Sequence, residues 1–215
     1  MNPPSTWIVS PTPAAAKSLI DDTRRLVAAT GRDPHDLKFF QGLSFVIGST
    51  EAEARRKAAE LDEVIDPTTI IAHAAGGLGH DLGFYELDTP IGDIETEGTR
   101  STLAWSHEAV PDREPTVRDL ARLRSRYGRV VGTPEQIADQ LEVWRAAGID
   151  GVGVTNATIP GSYDEFIDHV LPVLRTRGPA KTEYAVGTSH RKATGRDRLP
   201  ESHPAAAYRG AFGRR

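Results

Sequence analysis

The sequence predicts an α/β fold built on parallel strands, and three observations carry that reading. The run LKFFQGLSFVIG, Leu37 to Gly48, is nearly continuous in apolarity and too short for a comfortable helix, which suits a strand covered on both faces. Helical segments with their own start and stop signals stand before and after it. A second short apolar run, GVGVT, follows directly on a helix, so strands alternate with helices as in right-handed βαβ units.

Taken in order, residues Trp7 to Val9 read as the end of a strand. A helix is expected over roughly Pro13 to Thr30, with Leu19, Ile20, Thr23, Leu26 and Val27 on one stripe and Gly31 ending it. The strand Leu37 to Gly48 comes next. Ser49-Thr50 then caps the helix EAEARRKAAELDEVI, whose Glu51 and Glu53 favour the positive N-terminal end. From Asp66 to Glu114 the periodicity dissolves into turn residues, apart from a short helix near Thr69 to Ala75. An insertion that long is commonly an excursion over a site. Regularity returns with a basic helix over Pro115 to Arg126. Thr133-Pro134-Glu135-Gln136 is a helix start: Thr at the N-cap, Pro at N1, and Gln completing a capping box. Ile137, Leu141 and Trp144 form its buried face, Gly148 ends it, and Gly151 to Thr155 is the strand that follows. Ser162 caps a last helix, YDEFIDHVLPVLRTRG, in which Phe166, Val170, Val173 and Leu174 face inward and Pro172 imposes a bend. The tail, 179–215, carries eight Lys/Arg against three Asp/Glu among Gly, Pro and Ala, and is expected to wrap rather than fold alone. Only three strands are legible, and three parallel strands leave unpaired ladder groups on both outer edges.

Composition excludes several kinds of chemistry. The 215 residues contain no cysteine, so disulfide, thiolate and iron–sulfur sites are out. A net charge of -4 gives no reason to expect a nucleic-acid partner, and the basic tail reads as a structural wrap. No run of about eighteen apolar residues is present, so no membrane helix is expected, and the N-terminus lacks a secretion signal; the cytoplasm is the default location. The seven histidines, among them His73, His80 and His169, show no metal-ligand spacing, so no metal is expected. GGLGHDLG neither follows a strand nor carries the Lys-Ser/Thr of a phosphate-binding loop. The first turn of the GTPEQ helix offers N–H groups to an anion, but Thr133 already caps them. No G-x-S-x-G elbow occurs. Polar side chains at the C-terminal ends of parallel strands face the site in such folds, which singles out Thr155 and Asn156, or else these two residues merely turn the chain.

TEAEARRKAAEL after a strand, VVGTPEQIADQLEVWRAAGIDGVGV, and PGSYDEFIDHVLPVLRTRG with its TEY…GT…R tail together resemble the bacterial-luciferase-like flavin monooxygenases. The similarity is to the nitrilotriacetate and dibenzothiophene-sulfone branch and runs from about Trp7 to LPESHPAAAYRG. It implies a (β/α)8 barrel, reduced FMN at the C-terminal face of the strands, molecular oxygen as co-substrate, a separate flavin reductase, a small organic substrate and a homo-oligomer. On that mapping residues 1–178 supply about strands six to eight, with 66–114 as the family's lid over the pocket and 179–215 as an extended tail. A complete barrel needs eight strands and about 250 residues. The resemblance therefore implies the C-terminal part of such an enzyme, inactive by itself and completed by an N-terminal half-barrel polypeptide. Gln41, Ser44, Thr155 and Asn156 are the positions expected to face the pocket, and no catalytic residue is assigned. Where family members carry a His shortly before GTPEQ, this chain reads Tyr127-Gly128-Arg129. Two other readings stay open: a non-catalytic α/β binding or scaffold module, and part of a deazaflavin-dependent oxidoreductase.

Overall fold

The computed structural model describes residues 5–78, 81–94, 100–201 and 203–211. Gly79 and His80, residues 95–99 of the insertion, residues 1–4, Ser202 and residues 212–215 lie outside the described residues. The chain forms an all-parallel sheet with helices against one face. β1 (Ser5–Ile8), β2 (Lys38–Ile47), β3 (Arg129–Gly132) and β4 (Gly151–Thr155) make it up, with β2 at its centre. β1 pairs with Lys38 to Gln41 of β2, and β4 with Phe40 to Ser44, so these two lie on opposite edges. Ser44 is opposite both Arg129 and Thr155, which puts β3 on the same edge as β1, end to end with it.

β3 corrects the sequence reading, which saw three strands and left RVVG outside them. Four residues are too short to show an alternation. Their strand character comes from β2: Ser44 N–H donates to the Gly128 carbonyl at 2.8 Å and Gly48 N–H to the Gly132 carbonyl at 3.2 Å. Gly128 sits at φ 65, and a Cβ there would stand 2.5 Å from the Gly42 carbonyl oxygen. Only a residue without a side chain lets the chain enter β3 so close to β2.

Alternation along β2 sends Phe39, Leu43, Phe45 and Ile47 into one core with Ile8, Ile20, Val130, Ile137, Trp144, Val170 and Leu174. α1 (Pro13–Ala29), α6 (Pro134–Ala146) and the C-terminal helix cover that face. The buried stripe of α1 is Ala16 and Ile20 rather than the wider one read from sequence, and Leu26 is 70% exposed. Arg24 lies over the Phe39 ring at 5.5 Å, so part of the helix's inner face is a guanidinium on an aromatic. Thr133 and Gln136 form the expected reciprocal cap on α6, and Gly148 at φ 103 follows its end. The last helix starts at Ser162 (α7, Ser162–Glu165) with Gly161 as its N-cap, so Ser162 is its first residue and not its cap, its hydroxyl being taken up by the Thr158 backbone. It passes through a π segment, Phe166–Val170, into α8 (Leu171–Arg177), whose second residue is Pro172. Pro172 has no N–H to give the preceding turn, and the widened turn sits immediately before it.

The insertion is more ordered than its sequence pattern suggests. α2 (Glu51–Val64) leads into α3 (Pro67–Leu78), two single 3-10 turns, α4 (Arg100–Ala109) and α5 (Val117–Ser125). Ile71, Ala74, Leu82, Ile91, Ile94, Val117, Leu120 and Ala121 form a second core. Its members come from four short pieces, so no one piece shows a period. The long-range pairing Ile91 N–H to Pro115 O, Val117 N–H to Thr89 O and Arg118 N–H to Leu87 O closes the loop of the insertion. Asp119 holds the start of α5. It accepts two hydrogen bonds from Arg113, at 2.7 and 2.9 Å, and two from Thr116. In the tail, Ala180 packs on the main core, Arg196 reaches Asp36, and a short helix, α9 (Ser189–Thr194), follows Thr188.

Candidate functional site

The face of the sheet away from the helices is the candidate site. Strand alternation puts Trp7, Phe40, Gly42, Ser44, Gly151, Gly153 and Thr155 on it, opposite the residues that enter the core. The rings confirm the assignment: Trp7 and Phe40 meet at 5.7 Å, tilted by 35°. A Cβ on Gly153 would lie 2.4 Å from the Trp7 ring, and one on Gly151 would lie 2.4 Å from the Phe40 ring. Glycine weakens a strand, and here it leaves the space in which two aromatic rings lie down across β4. Trp7 nevertheless remains 64% exposed. The result is an aromatic floor across β1, β2 and β4.

Above the floor, toward the C-terminal ends of the strands, Ser44 and Thr155 are register partners and form a hydroxyl rim. Asn156 follows, exposed, with the Tyr163 hydroxyl approaching its side-chain oxygen at 3.5 Å. The turn beyond is held by Ser162, whose hydroxyl accepts from Thr158 N–H at 2.8 Å and donates to the Thr158 carbonyl at 2.9 Å.

Of the four positions singled out from sequence, the structure brings Ser44 and Thr155 together as register partners, leaves Asn156 exposed just past the end of β4, and separates Gln41 from them. Gln41 and Ser44 are three apart on a strand, so they face opposite sides. Gln41 is 1% exposed; its Oε1 accepts from the Ser10 N–H at 3.1 Å and its Nε2 donates to the Gly42 carbonyl at 3.0 Å. It fills the gap between the end of β1 and the start of β3, within 3.6 Å of the Cβ that Gly128 lacks. Sequence reasoning passed over Trp7, whose signal was available: it stands one residue before the end of β1, where inward side chains reach a site.

Charge on this side of the sheet is already engaged. Lys38, level with Ser5 at the far end of β2, pairs with Asp150 at 3.2 Å. Arg129, level with Ser44, donates to Asp62 at 2.6 Å and to the Ser125 carbonyl at 3.0 Å, while Arg126 takes the other Asp62 oxygen at 2.8 Å. Those two guanidinium groups outweigh the burial of Asp62, which by itself raises its pKa, and the carboxyl stays below its ordinary range. Tyr127, just before β3, meets Trp105 of the insertion edge-on at 6.0 Å. Burial pushes its phenol up to about 12, against the opposing influence of Arg124 and Thr102, so the group keeps its proton at neutral pH. Among the described residues no cluster of three potential metal ligands occurs, and no helix is long and apolar enough to cross a membrane.

The surface can therefore hold a neutral, partly apolar group between an aromatic floor and a hydroxyl rim. Among the described residues, the two strand cations on that side, Lys38 and Arg129, are both paired with carboxylates and so are not free to grip a phosphate.

Comparison with known proteins shows the family of the chain. A family model described as Luciferase-like monooxygenase matches residues 5–151. The chain is similar to dimethyl-sulfide monooxygenase of Hyphomicrobium sulfonivorans, 32% identical over 217 residues, covering 98% of this chain and 45% of the relative. It is also similar to dibenzothiophene-sulfone monooxygenase of Rhodococcus erythropolis, 36% identical over 174 residues, covering 75% of this chain and 38% of that protein. Among solved structures, that of DmoA from Hyphomicrobium sulfonivorans superposes with a TM-score of 0.80 at 32% identity, over 99% of this chain and 46% of the other. The chain thus spans a little under half the length of the relatives it matches.

Proposed function

Because the chain belongs to the luciferase-like monooxygenase family, we propose that it supplies one part of a flavin monooxygenase site, with Ser44, Thr155 and Asn156 lining the pocket. On this reading β1, β2 and β4 are about strands six to eight of a (β/α)8 barrel within residues 1–178, and 179–215 is its wrapping tail. The supporting observation is the open sheet face: a floor and rim at the C-terminal ends of parallel strands, where barrel sites lie, with unpaired strand edges on either side. A polypeptide bearing the preceding strands completes the barrel by pairing with both edges.

Reduced FMN, delivered by a separate flavin reductase, supplies the electrons with which molecular oxygen oxygenates a small organic substrate. The residues present fit a share of such a site. Trp7 and Phe40 exclude water from the floor, the Ser44 and Thr155 hydroxyls orient a polar end, and Tyr127 retains a proton beside the insertion. They do not fit the phosphate end of FMN, since Lys38 and Arg129 are held by Asp150 and Asp62. Contacts to that end come from the complementary polypeptide, and this chain alone neither grips FMN tightly nor turns over. Helices of the 66–114 insertion contribute contacts to the substrate.

The test is FMN titration of the purified chain, alone and mixed with a polypeptide carrying the first five strands of a luciferase-like barrel. Affinity weaker than micromolar alone and a large gain on mixing are expected. Sub-micromolar binding by the chain alone overturns the dependence on a partner, and absence of any gain on mixing counts against the flavin site itself.

A further inference from the structure

The geometry points to Trp7 as a substrate-positioning platform, and to an uncharged, flat apolar ring as the group that rests on it; this deepens the proposed function and rests on it. The indole lies over Gly153 because nothing larger than hydrogen stands beneath it. Phe40 lies over Gly151 in the same way and braces the indole edge at 5.7 Å. Two glycines at alternate positions of a five-residue strand are costly for the strand, and the gain is a ring held flat. A Trp held this way on a sheet offers one broad π-face, and Trp7 is 64% exposed. Aromatic partners prefer an offset stack on such a face, worth about 0.5–1.5 kcal/mol beyond the burial of area.

The surroundings define the ligand further. The residue next along from Phe40 on the open face is Gly42, partnered by Gly153, and the indole reaches across this glycine row, so the hydroxyl rim at Ser44 and Thr155 follows the floor directly along the strands. Among the described strand residues on this side, Lys38 is spent on Asp150 and Arg129 on Asp62. A carboxylate-rich substrate would find no counter-charge here and would lose its hydration for nothing. A flat neutral ring with one hydrogen-bonding edge finds an aromatic floor and, at its end, two hydroxyls.

The experiment is ¹⁹F NMR of the full chain labelled with 5-fluorotryptophan, which reports Trp7, Trp105 and Trp144 separately, the Trp7 line being the one that Trp7→Phe removes. The probes are 2-naphthol, cyclohexanol, citrate and FMN. We expect 2-naphthol to shift the Trp7 line saturably, with a half-saturation concentration at least fivefold below that of cyclohexanol and no saturable shift from citrate. Gly153→Val lifts the indole and should raise the 2-naphthol half-saturation at least tenfold. Should that variant not fold, Trp7→Ala at an exposed position must remove saturable 2-naphthol binding followed by naphthol fluorescence. Equal response to 2-naphthol and cyclohexanol, saturation by citrate, or equal movement of all three lines overturns the proposal. A lower half-saturation for FMN than for 2-naphthol assigns the platform to the flavin and overturns the substrate reading. Failure of the flavin reading shows separately, as absence of FMN binding on mixing with the complementary polypeptide while the Trp7 line still responds to 2-naphthol.

Discussion

Replacing Gly48 by alanine should destabilise the fold, although the same exchange usually stabilises. Gly48 ends β2 and touches the first turn of α2. An added Cβ would lie 2.4 Å from Ala54 N, 2.7 Å from the Thr50 carbonyl oxygen and 2.9 Å from Ala54 Cα. Comfortable separations are about 3.5–4.0 Å, so the overlap is roughly an ångström. All three obstructing atoms are backbone, which no rotamer change relieves. α2 must instead move off the strand end, and it is tied there by Ala54, fully buried, by the Lys57 Nζ bond to the Ile47 carbonyl at 2.8 Å, and by Asp62 on Arg129. Overpacking of this kind costs about 1–3 kcal/mol, and the rigid obstruction argues for the upper half of that range. The loss of about 0.4–1 kcal/mol of unfolded-state entropy on exchanging Gly for Ala offsets only part of it. A net loss of about 2 kcal/mol corresponds to a fall in Tm of roughly 4–8 °C for a chain of this size. Gly76, in α3 with no atom within 4 Å of its virtual Cβ, is the control, and Gly76→Ala should raise Tm by roughly 1–3 °C. Urea and thermal melts followed by circular dichroism decide it. A Gly48→Ala melt within a degree of the parent, or shifts of the same sign in both variants, would refute the reasoning.

Thr133→Ala removes one half of the capping box on α6 and should cost about 1 kcal/mol, read as a lower urea midpoint with an unchanged slope. Leu43→Ala empties a fully buried position at the centre of the sheet and should cost about 3–4 kcal/mol. The Asp119 carboxyl is held down to about 2 chiefly by Arg113, so its contribution is complete above its ordinary pKa near 3.8 and is lost as pH falls from there toward 2. Because Arg113 is 54% exposed, that contribution is about 1 kcal/mol. Asp119→Asn should lower stability at pH 6 by that amount and flatten the stability profile between pH 4 and pH 2, and a parallel profile would contradict the pairing.

How much of this was legible depended on how local the cause was. The Thr133–Gln136 cap, the end of its helix at Gly148 and the strand at Gly151 follow from neighbouring residues, and the structure has them where the sequence reading put them. The Ser44–Thr155 rim needed only strand register in addition. β3 was invisible because RVVG becomes a strand only when β2 offers Ser44 and Gly48 as donors. The second core was invisible for the same reason, since Ile71, Leu82, Ile91 and Leu120 meet only after the insertion closes on itself.

The sequence by itself determined the α/β class, the helix boundaries set by caps and glycines, and the resemblance that the family match bears out, because each rests on short-range chemistry carried by adjacent residues. Tertiary structure alone decided which side of β2 each residue faces. It sent Gln41 to bind the Ser10 backbone, left Trp7 lying on Gly153, and spent Lys38 and Arg129 on carboxylates. A one-residue difference in register exchanges the two faces of a strand, and register is a property of the pairing, which no single strand contains.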